Sequence, residues 1–342
     1  MVTVSGPVLN ATQSTLGYVT QETRLWAGAA DVEIEWTVGP VDVSDGASHE
    51  VITRYSAPAL PTDGGWVTDS NCREGQPRRR NWRPQWDVRP SEPVAANYFP
   101  TNCLARTGTA VTLAVAVDRS EGGSSLADGQ LELMVHRRMT HDDGRGVGEA
   151  LNEPGLDGAG LIVRGRHWLV AAPATAAPPL YKALHARALA APDAVAAFAP
   201  LLPGGPTTPA QWRAAGYAAS ASLLTRPLPA NVHLATAHAH SPTSLLLRLA
   251  HTYDAGEDPA GGGSGNATVA LADLFVGRTV TGATDMTLAG VLPLAAVPSR
   301  TLHGDGGEAF TVPVLPAPPA GPGLAVTLAQ QEIRTLLLTL AP

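Results

Sequence analysis

Residues 31–38 read DVEIEWTV, with Val32, Ile34, Trp36 and Val38 on one side of an extended chain and Glu33, Glu35 and Thr37 on the other. An apolar residue at every second position marks a strand with one buried face, because successive strand side chains point to opposite sides. Working outward, AVTLAVAVDR from residue 110 repeats the pattern with Val111, Leu113, Val115 and Val117. LELMVHRR from residue 131 repeats it again with Leu131, Leu133 and Val135, so that Arg137 falls on the buried side. The turn-rich SEGGSSLADG joins the last two runs, which predicts that they are sequential antiparallel neighbours.

Composition supports an all-β chain. Gly 35 and Pro 30 are high for a helical protein and fit many short strands joined by turns. At 342 residues the chain exceeds one usual compact unit, so two domains are expected. Between Ala171 and Pro229 it becomes Ala/Pro-rich, and LYKALHARALAAPDAVAAF is the one clear helical stretch. Beyond it NVHLATAHAH, TSLLLRLAHTYD, VALADLFVG and AVTLAQQEIRTLLLTL read as strands of a smaller β-sandwich. The expected division is residues 1–228, with a connecting segment at 171–228, and residues 229–342. A net charge of −7 argues against a nucleic-acid partner, and no apolar run reaches the length of a membrane span.

Charge crowds two places. GWVTDSNCREGQPRRRNWRP, residues 65–84, interleaves Trp66 and Trp82 with acids and arginines, which suits either a salt-bridged loop or sugar recognition through aromatic faces and planar bidentate groups. Residues 136–149 add His136, Arg137, Arg138, His141, Asp142, Asp143, Arg145 and Glu149, either an ion-pair lattice or the edge of a polar ligand site. Asp142 and Asp143 are adjacent and point to opposite faces of a strand, so they cannot form a catalytic pair from that strand alone. Of His233, His238, His240 and His251, only His238 and His240 share a strand face, and such a pair gives two ligands where zinc wants three or four. No nucleophile elbow, phosphate loop or dinucleotide fingerprint is present. Asn10 and Asn266 each open an N-x-Thr glycosylation acceptor.

In order along the chain, TDSNCRE, RRRNWRPQW, EPVAANYFP, DRSEGGSSLADGQLELMVHRRMTHDDGRGVGEALNE and VRGRH closely resemble the C-terminal half of lysosomal-type α-mannosidases, glycoside hydrolase family 38. The match is dense from Trp66 to Trp168 and continues more weakly to the end. The resemblance implies a large β-supersandwich of the mutarotase-like type followed by a smaller β-sandwich. It implies a retaining exo-α-mannosidase acting on oligomannose and N-glycans, placed in a lysosome or vacuole through the secretory pathway, or secreted. In that reading the zinc, the nucleophile and the acid belong to an upstream α/β domain, the partner of this region. This chain is then catalytically incomplete, with no metal site and no catalytic residue of its own.

The same resemblance places substrate contact at Arg137 and Arg138, with His136, Asp142, Asp143 and Arg145 bracing them. Trp66, Trp82, Trp86, Tyr98 and Phe99 are candidates for the rim of an apolar docking face. Cys72 stands where the family pattern shows glycine and Cys103 has no clear counterpart; either the two pair with each other or Cys72 strains a turn. Two other readings remain open here: a stand-alone carbohydrate-binding or adaptor module, and an epimerase-like sandwich using His136, His141 and Glu149.

Overall fold

The structure is a computed structural model describing residues 2–5, 8–190, 204–216, 222–298, 300–304, 306–312 and 324–342. Residues 2–5, 8–15, 189–190, 300, 302 and 310–312 are described by backbone alone. The chain divides into two compact units, Met1–Ala191 with Gly256–Gly261, and Pro192–Ala255 with Gly262–Pro342.

The first unit begins with β1 (Val2–Ser5), β2 (Val8–Thr15), β3 (Val19–Trp26), β4 (Val32–Val38), β5 (His49–Ser56), β6 (Gly65–Ser70) and β7 (Glu74–Arg79). It continues with β8 (Phe99–Thr101), β9 (Leu104–Thr107), β10 (Val111–Val117), β11 (Glu121–Ser124), β12 (Gln130–Arg138), β13 (Val163–Pro173) and helix α1 (Ala177–Ala190). A nine-stranded sheet runs β1-β2-β3-β4-β13-β10-β9-β6-β7, and a four-stranded sheet runs β5-β12-β11-β8. Ile34, Leu113, Val115 and Val117 of the large sheet share one buried cluster with Tyr55, Leu131 and Leu133 of the small one. On the other face of the large sheet, Ala114, Ala116, Trp168 and Val170 pack with Tyr181 and Leu184 of α1. The alternation read in DVEIEWTV holds, with Ile34, Trp36 and Val38 buried.

Three expectations are corrected here. Residues 112–117 are buried on both faces rather than one, because α1 covers the side that alternation alone assigns to solvent. The runs at 111–117 and 131–138 are not neighbours: β10 pairs with β9 and β13, whereas SEGGSSLADG itself contains β11, which carries the chain into the other sheet and pairs with β12. Arg137 is exposed rather than inward, because the β5–β12 register shifts between Met134 and His136. That bulge leaves Val135 unpaired and inverts the alternation beyond it.

The second unit contains α2 (Pro209–Ala214), β14 (Val232–Ser241), β15 (Ser244–His251), β16 (Ala267–Ala270), β17 (Thr279–Met286), β18 (Arg300–His303), β19 (Ala309–Val312), β20 (Ala325–Leu328) and β21 (Ile333–Ala341). Its four-stranded sheet runs β14-β15-β21-β17, and β16 pairs β20. Leu247, Leu249, Val269, Leu328, Leu336 and Leu338 bring both sheets to one core. The chain is therefore all-β, its described helices few and short.

Candidate functional site

The β5–β12 pairing sets the outer face of the small sheet. Arg54 lies opposite Glu132, Ile52 opposite Met134, and Glu50 opposite Arg137, so these pairs stack on one side at period two. The Arg137 guanidinium lies 3.5 Å from Glu50, both roughly two-fifths exposed. They form part of the wall of a cleft of about 860 Å3 that also meets Tyr98, Phe99, Glu121 and His136. Beside it the buried Glu132 carboxylate accepts from Arg54 Nε at 2.8 Å and from the Tyr98 hydroxyl. Burial, and then that carboxylate, push the Tyr98 hydroxyl well above its usual range, so it stays a donor.

Arg138 is used differently. Its Nε donates to Asn152 Oδ1 at 2.6 Å, and one terminal nitrogen donates to the carbonyls of Val41 at 3.0 Å and Ala159 at 2.9 Å. His136 Nε2 lies 3.3 Å from the Leu161 carbonyl. Asp142 and Asp143 accept from the amides of Gly144 and Arg145, local turns in an exposed loop. A second hollow of about 380 Å3 gathers Arg137, Asp142, Asp143 and Glu149, and Arg145 does not line it. Glu50 is the partner of Arg137 that sequence reading missed; its place opposite Arg137 becomes visible only once β5 is paired with β12.

Beneath the cleft lies a polar pin between the two sheets. His167 of β13 is fully buried; its Nδ1 is 2.8 Å from the Tyr55 hydroxyl and its Nε2 is 3.0 Å from Glu121. The Trp36 indole nitrogen also lies 3.2 Å from Nε2, so Trp36 and Glu121 share that nitrogen while the Tyr55 hydroxyl meets Nδ1. Burial, and then the Glu121 charge, raise the Tyr55 hydroxyl well above its ordinary range. Tyr55 and Glu121 belong to the small sheet and His167 to the large one, so the network ties the two sheets through buried polar contacts.

The β6–β7 hairpin explains part of the other charged stretch. Asn71 and Cys72 have φ of 50° and 59°, and the Arg73 amide donates to the Ser70 carbonyl at 2.9 Å, the turn that connects tight hairpins. Asp69 Oδ1 accepts from the amides of Asn102, Cys103 and Leu104, each at 2.9 Å, and Oδ2 accepts from Cys72 at 2.7 Å. This carboxylate holds the two loops that the Cys72–Cys103 disulfide joins. Of the candidate rim, Trp66 is a core residue, and Trp82 and Trp86 are exposed. Arg78 and Arg83 lie over the Phe99 ring at 4.4 and 4.8 Å, which accounts for two of the arginines.

Cys72, Cys103 and His185 have ligand atoms all within 4.8 Å of one another. Sequence reading missed this group because residues 72, 103 and 185 meet only in the fold. Burial, and then Lys182, lower His185 to about 4, so the imidazole is neutral. A disulfide offers no thiolate, so in this form the group does not fit the zinc that the resemblance implies. Among the other histidines, His238 and His240 are exposed, while buried His251 lies 2.9 Å from the Gly265 carbonyl, none of them in a three-residue ligand cluster among the described residues. Asn266 is exposed with Thr268, and the Asn10 side chain lies outside the described residues.

Residues 2–145 match the family described as Glycosyl hydrolases family 38 C-terminal domain. The chain is 42% identical to the lysosomal alpha-mannosidase of Cavia porcellus over 327 residues, covering 95% of this chain and 31% of that protein. It is 41% identical to the Homo sapiens protein of the same name over 333 residues, with the same two coverages. The chain thus spans about a third of the length of the curated relatives it matches. A crystal structure of an alpha-mannosidase from Enterococcus faecalis V583 superposes with a TM-score of 0.52 at 12% identity, covering 93% of this chain and 28% of that one. That likeness concerns the fold alone.

Proposed function

We propose, from the match of residues 2–145 to the glycosyl hydrolases family 38 C-terminal domain, that this chain is the C-terminal β region of a retaining exo-α-mannosidase acting on oligomannose and N-glycans. Residues 1–228 are assigned to the supersandwich with its connecting segment, and residues 229–342 to the terminal sandwich. In a retaining reaction one carboxylate attacks the anomeric carbon and a second carboxyl protonates the leaving oxygen. Both are assigned, with the zinc, to the α/β domain that would precede this region. No step is routed through the metal here.

The observation that carries the reading is the Arg137–Glu50 pair on the wall of the 860 Å3 cleft, beside Tyr98 and Phe99. A guanidinium donates to vicinal hydroxyls, a carboxylate accepts from them, and ring faces pack against sugar C–H groups. Of the two arginines, Arg137 is assigned the sugar contact. Arg138 holds the 152–159 loop behind it, and His136, Asp142, Asp143 and Arg145 shape the adjoining surface. Asn10 and Asn266 are assigned as glycosylation sites and the lysosome or vacuole as destination, in keeping with the disulfide, which an oxidising secretory route permits.

The test joins this chain to the catalytic portion that its relatives carry and measures turnover of an aryl α-mannoside. Arg137→Ala is expected to lower kcat/KM by about tenfold or more, the loss of one charge-assisted contact, with unchanged unfolding. Equal activity of the variant would remove the arginine from the site. A chain that binds mannosides by calorimetry with no catalytic portion would instead support a stand-alone binding module.

A further inference from the structure

We propose that the free edge of β5 docks an extended segment from the portion of the protein that its relatives carry and this chain does not, the segment adding to the small sheet as a fifth strand. This rests on the reading that the chain is one region of a longer mannosidase; it covers 31% of its Cavia porcellus relative. β5 ends the order β5-β12-β11-β8, and among the described residues its backbone pairs with β12 and with nothing else. An open strand edge is a liability that proteins blunt with proline, lysine, a bulge or a covering element. The eight residues HEVITRYS hold no proline and no lysine, and the unpaired residue of the β5–β12 bulge lies in β12. The charges of β5 are engaged elsewhere, Glu50 with Arg137 and Arg54 with Glu132, both across β12. Neither guards the edge.

The two sheets form a step beside that edge. Tyr55 shares a buried cluster with Ile34, Val51 packs with Trp36 and Val38, and at the far end Phe99 of β8 meets Trp66 of β6. The small sheet thus stops over β4, while the large one runs on through β3, β2 and β1. Val19, Gln21 and Thr23 of β3 stand opposite Val38, Trp36 and Ile34 and so share their core-facing side. The three β4 residues are at most 3% exposed, yet those of β3 are only half-buried, and Leu25, next in the alternation, is 43% exposed. Between β3 and the β5 edge lies a hollow of about 340 Å3, walled by Val19, Trp36, Val51 and Val135 with Gln21 and Arg54 at its polar positions. Strands pair about 4.8 Å apart and stacked sheets lie about 10 Å apart, so a strand added beside β5 falls over β3 as β5 falls over β4. Its backbone would close the edge and its inward side chains would fill the hollow. The chemistry asked of it is an extended segment with apolar residues at alternate positions. A second copy paired through its own β5 would satisfy the backbone, but its inward Val51 and Tyr55 are already packed in its own clusters and the hollow would stay unfilled.

Amide hydrogen exchange read by mass spectrometry is compared between the full chain alone and the chain joined to the portion that its relatives carry. Alone, the outward amides of residues 50–56 should exchange like loop amides; joined, they should slow by about tenfold or more, the scale of one hydrogen bond gained per amide. Val19→Asp sets a charge on the β3 wall of the hollow and should return those amides to fast exchange in the joined protein. If that variant fails to fold, the wild-type comparison decides alone. Turnover of an aryl α-mannoside by the same joined protein separates the two readings. Turnover with β5 still exchanging fast would overturn the docking and leave the glycosidase reading standing, whereas slowed exchange without turnover would support the docking and remove that reading. Slow β5 exchange in the monomeric chain alone would show the edge already closed, and slow exchange in a dimer detected by light scattering would give the edge to a second copy. Either result would overturn the assignment.

Discussion

Breaking the Cys72–Cys103 crosslink in two different ways should cost two different amounts. The bridge closes a loop with a sequence separation of 31. Loop-closure entropy for that length comes to about 3.7 kcal/mol. Cys103→Ala forfeits this stabilisation whole. Cys72→Gly forfeits it too, but Cys72 sits at φ 59°, where a side chain costs about 1 kcal/mol that glycine does not. The net loss for Cys72→Gly is therefore about 2.7 kcal/mol. Six of the seven tryptophans lie in the first unit, only Trp212 falling in the second, so intrinsic fluorescence during urea unfolding reports the unit that holds the bridge. Cys103→Ala should lower the midpoint by more than about 1 M, with Cys72→Gly in between. A Cys103→Ala midpoint equal to wild type would show that the crosslink restrains nothing. Cys72→Gly falling at or below Cys103→Ala would refute the argument from backbone conformation.

The same unfolding assay checks three further expectations. Tyr55→Phe leaves His167 Nδ1 without its partner and should cost about 1–2 kcal/mol; an unchanged midpoint would mean the network is not stabilising. Gly165→Ala places a Cβ 2.2 Å from Trp36 Cζ2, and Trp36 is buried, so a loss of about 2–3 kcal/mol or insoluble expression is expected, and a normal midpoint would contradict the packing described. Asp128 accepts from Arg80 and from the amides of Gly64 and Asp63, and the Arg80 bond leads the causes that hold its carboxyl below the usual 3.8. Its contribution is thus fully present above pH 3.8 and fades as pH falls through the lower folded value. The gap between wild type and Asp128→Asn should be seen at neutral pH and close in strong acid; a gap independent of pH would refute this.

Alternation in DVEIEWTV placed Ile34, Trp36 and Val38 correctly because one side of β4 meets the core. It failed at β10, where α1 buries the second face, since a strand's own residues do not say what another element will lay over it. It failed at Arg137 for a different reason: a bulge shifts the period by one, and nothing in LELMVHRR marks where. The family resemblance reached further than periodicity, because an ordered series of short motifs survives such local shifts. Glu50, His167 and His185 stayed invisible to either route. Each owes its interest to a partner far along the chain, Arg137, Glu121 and Cys72 respectively, which only the folded pairing supplies.

The unpaired residue in β12 has a meaning for chain-length variation. His136, Arg137 and Arg138 keep their partners Val51, Glu50 and His49 whether or not Val135 is present, so a gene losing that codon would still turn a guanidinium toward Glu50. Losing His136 instead would bring Val135 opposite Val51, and Arg137 would again stay opposite Glu50. A one-residue deletion at either place, which would reverse an ordinary strand, would here close the bulge and leave Arg137 on the cleft wall, while Arg138 stays committed to Asn152, Val41 and Ala159.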